Sequence, residues 1–149
     1  LSLSIPSVFF PLIWVSLIFV FDPINYTNRE ESLLSDIEKG NGSRIYTLFT
    51  GGIICGIFWE MFNYYAGSKW IYSLPYLNSP KIFEMPVVGY LGFGFFALEC
   101  YAIYTFINSI KKKIRPEIYY PLLFLSFLII FITSSYLIDR YSVKYFVLF

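Results

Sequence analysis

The 149-residue sequence contains no histidine. That absence removes the usual general base near neutral pH and the commonest metal ligand. It also removes any Ser-His-Asp or Cys-His nucleophile within this chain. Cysteine is scarce. Cys55 and Cys100 sit in separate apolar runs with no Cys-x-x-Cys spacing, so neither a zinc centre nor a redox motif is supported. They are expected to be buried as small hydrophobes. No metal and no cofactor is implied. Charge is scarce too: 14% of residues, against about 25% in a typical soluble domain. The net charge of +1 gives no field of one sign, and nucleic acid is not an expected partner. There are no repeats and no low-complexity tract.

What the chain has in abundance is apolar surface. It is 57% hydrophobic and 23% aromatic, a composition suited to lipid contact and interfacial belts. Four stretches approach the roughly 20 residues that cross a bilayer: about 5–21, 45–66, 86–108 and 118–138. The first has the length of a signal peptide, but it lacks a basic leader and a small-residue cleavage site, so it is taken as a span. Pro11 should kink it or move its start inward. Asp22-Pro23-Ile24-Asn25 should end it, with Asp22 either holding a turn by an Asx hydrogen bond or facing the bundle. The expected fold is all-α: one integral-membrane domain over 1–149, a bundle of about four spans. The tail, 139–149, is too short to cross as a helix.

The connections set the topology. Lys111, Lys112, Lys113 and Arg115 crowd between the third and fourth spans, and short cationic loops stay in the cytoplasm. The loops 22–44 and 109–117 are then inside, with seven cations: those four plus Arg29, Lys39 and Arg44. Loop 67–85 and both termini are outside, with four: Lys69, Lys81, Arg140 and Lys144. The expected location is the cytoplasmic membrane, and membrane lipids are the first expected partners. Within 22–44, Ser32 is a helix N-cap candidate and Gly40 a stop. The short helix between them places Leu33, Leu34 and Ile37 on one face, either along the membrane surface or packed inward.

Two spans carry a carboxylate each, which is costly in lipid. On a helix, Gly52, Gly56, Glu60, Asn63 and Gly67 fall within roughly 80°, and so do Gly89, Gly92, Phe96, Glu99 and Ile103. Glycines allow close helix approach and carboxylates avoid lipid, so the two stripes are expected to face each other. Glu60 would lie near Gly92, and Glu99 between Gly52 and Gly56. Asn63 stands three residues from Glu60 and can donate to it. Glutamates withdrawn from water can carry protons for general acid–base chemistry, and they can equally serve as helix-to-helix hydrogen-bonding groups. Glu84, just before the third span, is a third candidate catalyst, or a charge capping that helix.

Three segments carry a likeness. Trp59-Glu60-x-x-Asn63-Tyr64, Lys69-Trp70-Ile71-Tyr72 and Phe83-Glu84-Met85-Pro86-x-x-Gly89-x-Leu91-Gly92-Phe93 resemble a group of uncharacterised bacterial polytopic membrane proteins. The likeness runs from the first span to about Tyr104, and it implies that the chain is the later part of a longer protein. More distantly, Trp70-x-Tyr72 with an acid opening a span looks like the membrane-bound lycopene cyclases and related carotenoid-biosynthesis proteins. There a Pro-x-Glu-Glu pattern opens a helix and carboxylates are thought to protonate a polyene. Here Glu84 stands alone and the proline follows it.

Three functions are consistent with these residues. One is a lipid- or isoprenoid-modifying enzyme with Glu60, Glu99 and Glu84 as acid–base groups, and Asn63, Trp59, Phe96 and Trp70 against an apolar or isoprenoid ligand. The second is a non-catalytic subunit or assembly factor bound to a membrane-protein partner or a missing N-terminal half. The third is a proton-coupled transporter or relay. An enzyme should show an apolar groove reaching Glu60 or Glu99. A subunit should show both bonded to protein.

Overall fold

The computed structural model describes residues 13–72 and 79–141. The fold is all-α, a helical bundle as its sequence predicts. Three helices are long and apolar enough to cross a membrane: Ser43–Tyr65, Val87–Lys113 and Pro116–Leu137. Residues 5–12 of the first expected span, Pro11 among them, and the tail beyond Tyr141 lie outside the described residues. The chain divides into two compact units, Leu1–Ser109 and Ile110–Phe149.

Within the first unit the described residues open with α1 (Ile13–Ser16) and α2 (Ile18–Thr27), separated at Leu17. The expected stop at Asp22 does not occur; α2 continues through Pro23 to Thr27. The reason is chemical. The Asp22 carboxylate does not fold back on its own turn, as an Asx turn needs. It accepts the backbone N–H groups of Leu33 and Leu34 at 2.7 and 2.9 Å. It thereby satisfies orphan donors at the start of α3 (Leu33–Glu38). Ser32 caps the same helix, its hydroxyl accepting from Ser35 N–H at 3.0 Å. Gly40 ends it at φ 68°. Leu33 is buried while Leu34 and Ile37 stay exposed.

The second expected span is α4 (Ser43–Tyr65). A hairpin follows the loop: β1 (Lys81–Ile82) pairs antiparallel with β2 (Met85–Pro86), with Phe83 and Glu84 at its turn. After a 3-10 turn, Val87–Gly89, the third span runs as α5 (Tyr90–Lys113). It ends beyond the expected residue 108, at Lys113, so Lys111, Lys112 and Lys113 lie on its last turn rather than in a loop. Cations there complement the negative end of the helix.

Two polar bonds seat α2 on α5. The Asn25 amide donates to the Ala102 carbonyl at 2.8 Å, and Glu99 accepts the Leu17 N–H at 3.0 Å. The rings of Phe21 and Phe106, from the same two helices, meet at 4.8 Å. Residue number rises together along both helices in the two polar pairs, so α2 and α5 run the same way. That is the sense expected of two spans with one crossing between them.

In the second unit the last helix, α6, covers Pro116–Tyr141. Pro116 suits its first position, where a missing N–H costs nothing. Lys111 Nζ lies 5.7 Å from the Tyr120 ring centre.

Candidate functional site

Glu60 lies five residues before the end of α4, about 8 Å along the helix. It is 0% exposed. One carboxylate oxygen accepts from the Asn63 amide at 3.3 Å, and the other has no hydrogen-bond partner. Asn63 itself is held from two sides. Its oxygen accepts the Trp70 N–H at 2.7 Å and its nitrogen donates to the Trp70 carbonyl at 2.8 Å. A side-chain amide paired with both backbone groups of one residue clamps the loop back onto α4, and it aims the amide at Glu60. The expected Glu60–Asn63 contact is present.

The loop brings a phenol to the same place. Tyr72 is pushed up to about 12, first by burial and then by the Glu60 carboxylate beside it, with the Trp59 indole opposing. Lys81 Nζ donates to the Tyr72 carbonyl at 2.7 Å, and Tyr90 OH donates to the Ile82 carbonyl at 2.9 Å. The sequence reading did not single out Tyr72 or Tyr90 as companions of Glu60. A phenol near the end of a clamped loop has no periodic signature.

Glu99 is 4% exposed and lies nine residues into α5, about 14 Å from its start. It does not sit between Gly52 and Gly56. Its bond to Leu17 turns it toward the break between α1 and α2. There it takes an N–H that a continuous helix would have bonded internally.

The glycine stripes are half as expected. A β-carbon at Gly52 would meet the Phe93 carbonyl, Ala97 Cβ at 2.8 Å and Gly94 Cα at 3.0 Å; one at Gly56 would meet the Phe93 ring. These two glycines do press α4 against α5. Gly92 does not face α4: nothing lies within 4 Å of its β-carbon position. Gly89 packs on Met85 of the hairpin, not on a helix. Gly94 takes the expected role of Gly92, against the Phe49 ring. The cause is the register of α5, whose buried row is Tyr90, Gly94, Leu98, Ala102, Thr105 and Ser109.

Of the remaining candidates, Glu84 does not cap the third span. It pairs with Lys69 at 2.5 Å from the hairpin turn, and Lys69 also lies 5.0 Å from the Tyr64 ring centre. Trp59, Phe96 and Trp70 all present exposed side chains, Trp70 most of all. Cys55 and Cys100 are exposed on their helices rather than buried. Among the described residues no three of Cys, Asp and Glu cluster as a metal centre would require.

A second polar centre lies at the other end of α4. Arg44 pairs with Glu31 at 3.2 Å and Asp36 at 3.3 Å, and donates to the Tyr101 hydroxyl. Tyr101 OH in turn donates to Glu31 at 3.0 Å. With Asp22 and Asn25 it forms a polar base under α2, α3 and α5. The signal for it was present as Asp22 and Asn25, one turn apart on one helix face. Comparison of the chain with protein families, curated proteins and solved structures finds no match.

Proposed function

We propose that this chain is a non-catalytic integral membrane protein of the bacterial cytoplasmic membrane, a subunit or assembly factor whose buried acids brace its own helices. One observation carries this reading: the acids are spent inside the chain. Asp22 accepts two backbone N–H groups, Glu99 accepts one, and Glu60 accepts the clamped Asn63 amide. A cavity among Arg29, Asp36 and Arg44 has neither Glu60 nor Glu99 in its lining. The three long helices bury only 11%, 28% and 6% of their apolar windows, which leaves apolar surface for lipid and for a membrane-protein partner.

Loops 22–44 and 109–117 face the cytoplasm, and 67–85 and both termini face outward. The seven-to-four cation imbalance supports this orientation. Reporter fusions after Arg115 and within 67–85 test it, and a cytoplasmic reporter active in 67–85 would reverse it. For the subunit role, the tagged chain is extracted in mild detergent from cells that express it from its own locus. It should run in a complex of defined stoichiometry with another membrane protein. Glu60→Gln and Glu99→Gln variants should keep that partner. A chain that purifies alone contradicts the proposal.

A second reading rests on Glu60. A wholly buried carboxylate with one oxygen unpartnered is poised for proton transfer to an apolar ligand. The cyclase likeness suggests an isoprenoid. Cells accumulating acyclic carotenoids would then change pigment with the native chain and not with Glu60→Gln; unchanged pigment in both removes this reading.

A further inference from the structure

The polar connection between α2 and α4 lines a half-open cavity of about 630 Å³. Arg29, Lys39 and Arg44 line it together with Glu30, Glu31 and Asp36. Arg44 is committed to Glu31, Asp36 and Tyr101. Arg29 and Lys39 are different: neither makes an ion pair or a side-chain hydrogen bond to any described residue. Two unspent cations thus share one cavity.

Arg29 holds its place against a backbone preference. Helix α2 ends with Arg29 N–H donating to the Tyr26 carbonyl and Glu30 N–H donating to the Asn25 carbonyl, both at 3.0 Å. Helix α3 ends in the same double bond. Gly40 N–H donates to Ile37 at 3.0 Å and Asn41 N–H to Asp36 at 2.8 Å. This motif needs a left-handed residue, usually glycine. Helix α3 supplies Gly40 at φ 68°, whereas α2 supplies Arg29 at φ 58°. A β-carbon is disfavoured in that region. The chain therefore keeps a long cation at the rim of the cavity where glycine would fold more comfortably.

The surroundings favour a lipid. Arg29 lies two residues past α2 and Lys39 four residues before α4. This is where the chain leaves one apolar helix and enters the next, the depth of headgroups. Helix α3 exposes Leu34 and Ile37 beside it. We propose that this cavity binds a phosphate ester, held between Arg29 and Lys39, and that its source is a phospholipid headgroup whose acyl chains lie against Leu34 and Ile37.

The test uses the full chain, purified in non-ionic detergent and stripped of lipid, with bound ligand counted by native mass spectrometry. The probes are phosphatidylethanolamine, phosphate-free diacylglycerol and glycerol 3-phosphate. The expected result is retention of phosphatidylethanolamine, no retention of diacylglycerol, and no displacement by glycerol 3-phosphate. Arg29→Gly should weaken lipid retention at least tenfold while the lipid-free chain melts at the same or a higher temperature. That separates binding from folding, because glycine suits the position. Lys39→Gln should weaken retention as well. A variant with Lys111, Lys112 and Lys113 all changed to Gln should retain lipid normally. Wild-type retention in Arg29→Gly, equal retention of diacylglycerol, or loss confined to the triple variant would overturn the site. Displacement by glycerol 3-phosphate would overturn the lipid as its source.

Discussion

Asp22 shows how much one side chain holds. It is 2% exposed, sits inside a helix, and serves as acceptor for two N–H groups eleven and twelve residues on. Bonds to a charged acceptor are worth more than neutral ones. Asp22→Ala should therefore cost about 2–3 kcal/mol, the range for losing a charge-assisted bond and leaving buried donors unmet. The checks are thermal unfolding in detergent and loss of α3 protection in hydrogen exchange. Ser32 and Gly40 were legible in the sequence because a cap and a stop act on neighbouring residues. The partners of Asp22 were not, because they belong to the next helix and no local pattern announces them. Tyr72 carries the pH dependence. Its phenol keeps its proton to about pH 12 in the folded chain, against 10 when unfolded. Its contribution to stability is complete below pH 10 and is lost as the pH rises from 10 toward about 12. In Glu60→Gln the carboxylate no longer opposes the phenolate. The Tyr72 phenol should then ionise at lower pH, though still above 10, because burial is the larger cause. Ultraviolet titration of the tyrosines follows it.

Among the elements, α4 and α5 touch through small residues on one side and diverge on the other. Gly52 faces backbone atoms of α5, which cannot rotate away as a side-chain tip can. Gly52→Ala should destabilise by about 1–3 kcal/mol, the usual cost of overpacking. Gly92→Ala should be neutral or stabilising by about 0.5–1 kcal/mol, since the site is open and alanine narrows the unfolded ensemble. Equal effects of the two, measured by thermal unfolding, would show that α5 is turned as its glycine pattern alone suggested. The Gly52–Gly56 face of α4 was legible because close approach demands glycine there. The facing side of α5 was not. That helix serves two neighbours: Gly94 meets α4, while Glu99 and Ala102 are bonded by Leu17 and by Asn25 of α2. A single stripe drawn through Gly92 and Glu99 averaged two faces into one.

At the scale of the molecule, the long apolar runs made the membrane class and the three described spanning helices legible from composition alone. Their boundaries moved at charged ends. Residues such as Lys111 and Lys113 extend a helix that hydropathy would stop. What hydropathy does not carry is how a bundle with little internal apolar burial stays specific. Here the polar pairs Glu99–Leu17, Asn25–Ala102 and Asp22–Leu33 join elements that lipid would otherwise solvate equally well apart. The most direct test compares unfolding midpoints of Glu99→Gln and Glu99→Leu in detergent. Glutamine keeps a carbonyl for the Leu17 N–H, so it should stay within about 1 kcal/mol of the native chain, while leucine strands that donor and should lose about 1–3 kcal/mol. A leucine variant as stable as the glutamine one would contradict the bracing role of the intramembrane acids.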